Sequence, residues 1–260
     1  MLICPEKKII FFKPMKCAGT SVESTLLSCI NDPNSICAGS SDIHAKLEYG
    51  SKNNVFKHQG IKYKKFNQHC YPELFYNRLY DTTLYQDYHH VSIVRNPYDA
   101  LVSYYWYTAT QAKVQLDAGQ ISQERYESLL ITESDFSDKI KEKFQRTLTL
   151  ANDYRDDEMA HEIGIAGQLA SPLIYFSMIN SSFLDHRVTT YLRYESLNCD
   201  FLELCSSLKI GKPKLHRHKV HHRNLNIHYS VYFNEMMKEE VQYYFGDYIE
   251  KFGYEFNCGM

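Results

Sequence analysis

Apolar residues along the chain fall into two kinds of run. Ile9-Ile10-Phe11-Phe12 is continuous, has the length of a buried strand and stops at Pro14, and Val22, Leu26, Leu27 and Ile30 then recur at helical spacing just after Gly19. The same order returns further on: Val91, Ile93 and Val94 predict a second buried strand, followed by Asn96 as helix cap, Pro97 as first helical residue and Asp99 as a first-turn acid. A helical insertion is predicted from Ser122 to Ala151 on Leu129, Leu130, Ile131, Ile140, Phe144, Leu148 and Leu150. An amphipathic terminal helix is predicted from Asn234 to Phe252, with Met237, Val241, Tyr244 and Ile249 inward. Gly39 to Lys65 is polar and reads as loops around a short strand. Strands alternating with helices predict an α/β fold with a central parallel sheet flanked by helices. At 260 residues one hydrophobic core still suffices, so 1–260 is expected to be a single domain with a helical insertion.

The chemistry concentrates where the two strands meet their helices. Thr20 is the expected cap of the first helix and Glu23, three residues on, completes a capping box. Gly19 lets backbone N–H groups approach an oxyanion, the positive end of the helix favours negative charge, and Thr20 and Ser21 add hydroxyl donors. Lys16 can lay its ammonium along the same anion. The nucleoside-triphosphate loop G-x-x-x-x-G-K-[ST] is not present, because position 14 is Pro14 and position 20 is Thr20. In the second stretch Arg95 stands at the strand's carboxyl end, where open α/β sheets bind ligands and a guanidinium can fork onto a phosphate. Ser103, about two helical turns further at 3.6 residues each, can donate to the same group. A capping ion pair of Arg95 with Asp99 is the competing reading.

These residues resemble a known family. Lys13-Pro14-Met15-Lys16-Cys17-Ala18-Gly19-Thr20-Ser21-Val22-Glu23 looks like the 5′-phosphosulfate loop, and Val94-Arg95-Asn96-Pro97-Tyr98-Asp99-Ala100-Leu101-Val102-Ser103 like the 3′-phosphate motif, of sulfotransferases that use 3′-phosphoadenosine 5′-phosphosulfate (PAPS). Within that superfamily the carbohydrate O-sulfotransferase branch is most similar. Tyr191-Leu192-Arg193-Tyr194-Glu195-Ser196-Leu197 resembles the family's late strand and Y-E-x-L turn, and Phe252-Gly253-Tyr254 its closing helix end. The chain departs from the branch at Met15, where proline is usual, and at Ala100, where arginine is frequent. The resemblance implies a P-loop-like fold, Lys16 assisting departure of the bridging oxygen, Lys16, Cys17, Ala18, Gly19, Thr20 and Ser21 around the 5′ phosphate, and Arg95 and Ser103 on the 3′ phosphate. It implies adenosine 3′,5′-bisphosphate as product, no metal, and a hydroxyl-bearing acceptor such as a glycan or small molecule.

Sulfuryl transfer also needs a base for that hydroxyl. A group titrating near neutrality points to histidine, and twelve are present. In the resembling branch a histidine often lies between the two motifs; His69 fits that place best, His58 is second, and Glu73 is the carboxylate alternative. His89-His90 reads as a strand-entry feature.

Charge and cysteine usage narrow the class without changing it. A net charge of −2 argues against bulk nucleic-acid affinity. Eight cysteines lack any C-x-x-C spacing, which disfavours a zinc ribbon or dithiol motif and leaves reduced thiols, Cys17 being a small residue tolerated in a turn. The acids Asp153, Asp156, Asp157 and Glu158 lack the alternation and central glycine of a calcium loop. No stretch is long and apolar enough to span a membrane and the first strand begins too early for a signal peptide, so a cytoplasmic protein is expected. The basic tract Lys212 to Arg223 suits a loop over the nucleotide or an anionic acceptor. Two other functions compete: a nucleoside-kinase-like phosphotransferase, and a non-catalytic nucleotide or nucleic-acid binder using that tract.

Overall fold

A computed structural model describes residues 1–32, 34–37, 55–58, 61–64, 69–79, 83, 85–132, 135, 137–149, 171–216 and 227–257. In chain order the elements are β1 (Leu2–Cys4), β2 (Ile9–Phe11), α1 (Gly19–Ile30), β3 (Ile36–Cys37), β4 (Val55–His58), β5 (Ile61–Lys64), α2 (Pro72–Arg78), β6 (His89–Val94), α3 (Pro97–Asp117), α4 (Gln123–Leu129), α5 (Ser137–Thr149), α6 (Pro172–Ser181), β7 (Thr190–Arg193), α7 (Leu197–Ser207) and α8 (Glu235–Phe252). The chain divides into two compact units, 1–95 with 182–218, and 96–181 with 219–260.

The first unit carries a five-stranded sheet in the order β3-β1-β2-β6-β7. It is mixed, which corrects the expectation of a parallel sheet: β2, β6 and β7 run parallel, whereas β1 is antiparallel to both β2 and β3. The reason is the short connection from Cys4 to Ile9, a single 3-10 turn that can only join antiparallel neighbours. Ile9↔His89 and Val91↔Thr190 set the parallel registers, and the Phe12 amide extends the β2–β6 ladder onto the Val91 carbonyl at 2.8 Å. Strand side chains alternate between faces. Ile9, Phe11, Val91 and Ile93 join Val22 and Leu26 of α1 and Phe201, Leu204 and Cys205 of α7 in one core. On the other face Phe12 meets Phe75 of α2 edge-on and stacks on His90, whose Nε2 pairs with the Tyr76 hydroxyl at 2.6 Å. His89 and His90 therefore do belong to the strand entry. The polar stretch after Gly39 contributes two strands where one was expected, β4 pairing β5 antiparallel in a separate small sheet.

The second unit is helical. Asn96 caps α3 by accepting from the Tyr98 amide at 3.0 Å, and Pro97 takes the first helical position. The predicted insertion is two helices, because Leu130 leaves the helical region and its backbone turns extended between α4 and α5; Leu150 and Ala151 lie outside the described residues. Trp106, Tyr105, Phe144 and Tyr232 form its aromatic centre, with the Trp106 indole donating to the Tyr232 hydroxyl at 3.1 Å. In α8, capped by Asn234, the buried residues are Met237, Val241, Phe245, Tyr248 and Ile249, and Tyr244 is half-buried on the flank. Among the described residues no helix is long and apolar enough to cross a membrane.

Candidate functional site

Three parallel strands end at one edge of the first unit's sheet. β2 runs into the 12–18 turn, β6 into Arg95 and β7 into Tyr194, so all three strand ends point the same way. Arg95, 7% exposed, donates from Nη1 to the Lys16 carbonyl at 2.6 Å, and its guanidinium carbon lies 3.8 Å from the centre of the Tyr194 ring. The two predicted motifs are thus adjacent, and Arg95 is gripped on one side by the turn and on its face by an aromatic ring. Tyr194 opens the Y-E-x-L turn that the sequence showed, but its place under Arg95 was not read there; it follows from its position one residue past a parallel strand.

The turn is built differently from its sequence reading. Lys16 and Ala18, not Gly19, hold left-handed backbone, with φ of 58° and 60°. Left-handed residues alternating with residues of negative φ, as Cys17 stands between these two, turn backbone N–H groups toward a common concavity of the kind that binds anions, at about 1–3 kcal/mol of strain each. Ala18 is the helix cap, in place of Thr20, and the capping box does not form. Ser21 and Val22 amides bond the Ala18 carbonyl at 2.9 and 3.4 Å, so Gly19, Thr20 and Ser21 make up the first turn of a helix that starts at the sheet edge. Cys17 is buried in the core and donates from Sγ to the Met15 carbonyl at 3.3 Å, which fits a small packed residue. The seven described cysteines are all free thiols.

Glu23 is withdrawn from capping by a stronger partner. Its carboxylate, 0% exposed, accepts from Lys13 Nζ at 2.6 Å and from the Met1 ammonium at 3.1 Å. Burial alone pushes this carboxyl up, but the two cations outweigh it and hold it below the usual carboxylate range. Lys13 is itself 2% exposed, and its stem crosses Gly19: a Cβ there would stand 2.1 Å from Lys13 Cγ and 2.9 Å from Cδ. Gly19 is therefore required by packing against the Lys13 stem.

His69 joins the same assembly. Its Nδ1 lies 2.8 Å from the Lys13 carbonyl, and since a carbonyl only accepts, Nδ1 carries the proton and Nε2 the lone pair. Burial and the Lys13 charge lower its pKa to about 3, so the ring is neutral at physiological pH. Titration near neutrality, which pointed to histidine, does not describe His69; the structure adds its contact with the Lys13 carbonyl, which the sequence did not show. Glu73 is exposed in the first turn of α2, behind Pro72, and suits dipole stabilisation there. His58 lies in β4, whose side chains are outside the described residues.

Ser103 is half-buried on α3 in the second unit, eight residues along the chain from Arg95. At the start of the basic tract, the His216 amide donates to Thr25 Oγ1 at 2.9 Å and His216 Nδ1 pairs with Ser24 Oγ at 3.1 Å, fixing this segment against α1; Arg217 to Arg223 fall outside the described residues, as do the acids from Asp153 to Glu158. Among the described residues no group of three metal-ligating side chains converges.

Neither the curated proteins nor the solved structures compared with this chain gave a match. Residues 1–168 match the model of the Sulfotransferase family, a span that takes in the turn at Lys16, Arg95 and Ser103. With well over half its length inside that match, the chain belongs to the sulfotransferase family, whose members transfer sulfuryl groups.

Proposed function

We propose that the protein is a PAPS-dependent sulfotransferase acting on a hydroxyl acceptor of the carbohydrate class. The observation that carries the reading is the 2.6 Å bond from Arg95 to the Lys16 carbonyl, because it sets the predicted 5′ and 3′ phosphate motifs side by side at the carboxyl edge of a parallel sheet. The donor supplies the sulfuryl group. Gly19 and Thr20 offer its 5′ phosphate their first-turn amides, Thr20 and Ser21 add their hydroxyls, and the left-handed residues Lys16 and Ala18 shape the backbone around it. Lys16 neutralises charge on the oxygen that leaves. Arg95, held by the Lys16 carbonyl and faced by Tyr194, is assigned the 3′ phosphate, and Ser103 the second contact on its spacing. His69 Nε2 takes the acceptor's proton; the donor's negative charge raises its basicity from the low value of the free protein.

The nucleoside-kinase reading is disfavoured by family membership and by the missing G-K-[ST]. The test is transfer of labelled sulfate from PAPS to a panel of glycans and small alcohols, by wild type and Lys16→Ala. Labelled product from wild type, reduced by at least about a hundredfold in the variant, is expected for loss of a charge-stabilising group. No transfer to any acceptor, or full activity in Lys16→Ala, refutes the proposal.

A further inference from the structure

We infer that Lys13 is a positioning residue that holds the donor turn and His69 in one geometry through its buried pairing with Glu23; the inference rests on the function proposed above. Lys13 touches three parts of the site from a single position. Its Nζ is held by Glu23, one turn inside α1; its stem lies across Gly19 at the helix start; and its carbonyl accepts from His69 Nδ1. At 2% exposure with its ammonium on Glu23, Lys13 is built into the wall of the site, whereas Lys16 is half-buried.

A buried charge on each of two neighbouring elements is an expensive way to pack a core, and apolar residues of similar volume commonly serve stability as well. What an ion pair adds is a single permitted register. Here the register being specified is that of α1 against the end of β2, the distance that fixes the anion-binding turn between them. Because the Lys13 carbonyl also sets the His69 tautomer, the same residue decides which imidazole nitrogen carries the lone pair. The charged groups that act on the His69 ring are Lys13 beyond β2, the Met1 ammonium before β1 and Glu23 of α1.

The test is Lys13→Met, which keeps the stem over Gly19 and removes the ammonium, with Lys13→Gln as the partner that keeps a neutral donor directed at Glu23, one bond shorter than the ammonium. Two measurements are made on each: the affinity for adenosine 3′,5′-bisphosphate by calorimetry, and the protonation and tautomer of His69 by imidazole 15N NMR from pH 3 to 8. Misplacement of a binding turn is expected to weaken affinity about tenfold or more in Lys13→Met, with Lys13→Gln in between. The His69 titration is expected to move upward in both variants as the Lys13 charge is removed, and a mixture of tautomers in place of the pure Nδ1–H form is expected where the Lys13 carbonyl, retained in both, is displaced from the ring. A Lys13→Met protein that merely melts earlier, with affinity and His69 titration as in wild type, overturns the inference. Should Lys13→Met fail to fold, unchanged affinity and titration in Lys13→Gln overturn it equally. If wild type binds no bisphosphate, the proposed function fails, and the His69 measurement alone decides whether Lys13 sets the ring.

Discussion

Replacing Gly19 by alanine places a methyl group where the Lys13 stem runs. The nearest atoms would be Cγ at 2.1 Å, Cδ at 2.9 Å and Cβ at 3.3 Å, and Cγ and Cβ are close to the main chain, so a rotation of the side-chain tip cannot relieve the contact. Lys13 cannot withdraw without stretching its 2.6 Å bond to Glu23, nor α1 without moving the turn. Overpacking of this kind costs about 1–3 kcal/mol, and parting the buried pair raises the total toward about 3–5 kcal/mol. Exchanging glycine for alanine in a helix returns about 0.5–1 kcal/mol. A net loss of about 2–4 kcal/mol is expected, a fall in melting temperature of about 5–15 °C for a chain of this size. Thermal and urea unfolding of Gly19→Ala, Lys13→Ala and the double variant measure it. In the Lys13→Ala background, which lacks Cγ, the glycine substitution is expected to be nearly neutral, giving a coupling of about 2 kcal/mol or more. Wild-type stability in Gly19→Ala, or equal losses in both backgrounds, would show that the Lys13 stem does not lie where the argument needs it.

Other perturbations probe separate parts of the account. Ala18→Gly relieves a left-handed backbone at φ 60° and should leave the protein as stable or more stable by about 0.5–1 kcal/mol in urea unfolding, whereas Ala18→Val should destabilise it. His69 has its pKa lowered in the fold from 6.5 to about 3, so the unfolded chain binds the proton first; its contribution is intact above about pH 6.5 and is lost on acidification toward pH 3. The loss should approach about 2 kcal/mol at pH 5, measured as the difference in pH-dependent stability between wild type and His69→Asn, whose amide can still donate to the Lys13 carbonyl, and a constant difference across that range contradicts the buried neutral ring. Tyr194→Leu removes the ring beneath Arg95, and the loss of about 0.5–2 kcal/mol should appear in urea unfolding, with weaker nucleotide binding as the guanidinium loses its support; unchanged stability and unchanged binding contradict the contact.

The parallel heart of the sheet was legible because β2 reads as a continuous apolar run and β6 carries Val91, Ile93 and Val94, all buried, each strand being followed by helix-start chemistry. The antiparallel strands were not, because Leu2–Cys4 and Ile36–Cys37 are too short to show a period. Asn96 and Asn234 announced their helices because each cap is a local side-chain bond between neighbours in sequence. Thr20 misled for the complementary reason: Glu23 had a tertiary partner that no local pattern encodes. One signal was present, since helical spacing puts Glu23 on the same face as Leu26, Leu27 and Ile30, and an acid on an apolar face requires a buried cation. The left-handed conformations fell on Lys16 and Ala18, where residue type gives no warning. Proximity of Arg95 to the turn followed from strand order, which places neighbouring parallel strands' carboxyl ends together once β2 and β6 pair.

The central claim is that the turn at Lys16 and the strand end at Arg95 hold two phosphates of one adenine nucleotide. Calorimetric titration of adenosine 3′,5′-bisphosphate and of ATP into wild type and Arg95→Ala tests it most directly. The account predicts preference for the bisphosphate in wild type, and a loss of about tenfold or more in the variant for one charge-assisted phosphate contact. Preference for ATP, or a bisphosphate affinity unchanged by Arg95→Ala, contradicts it.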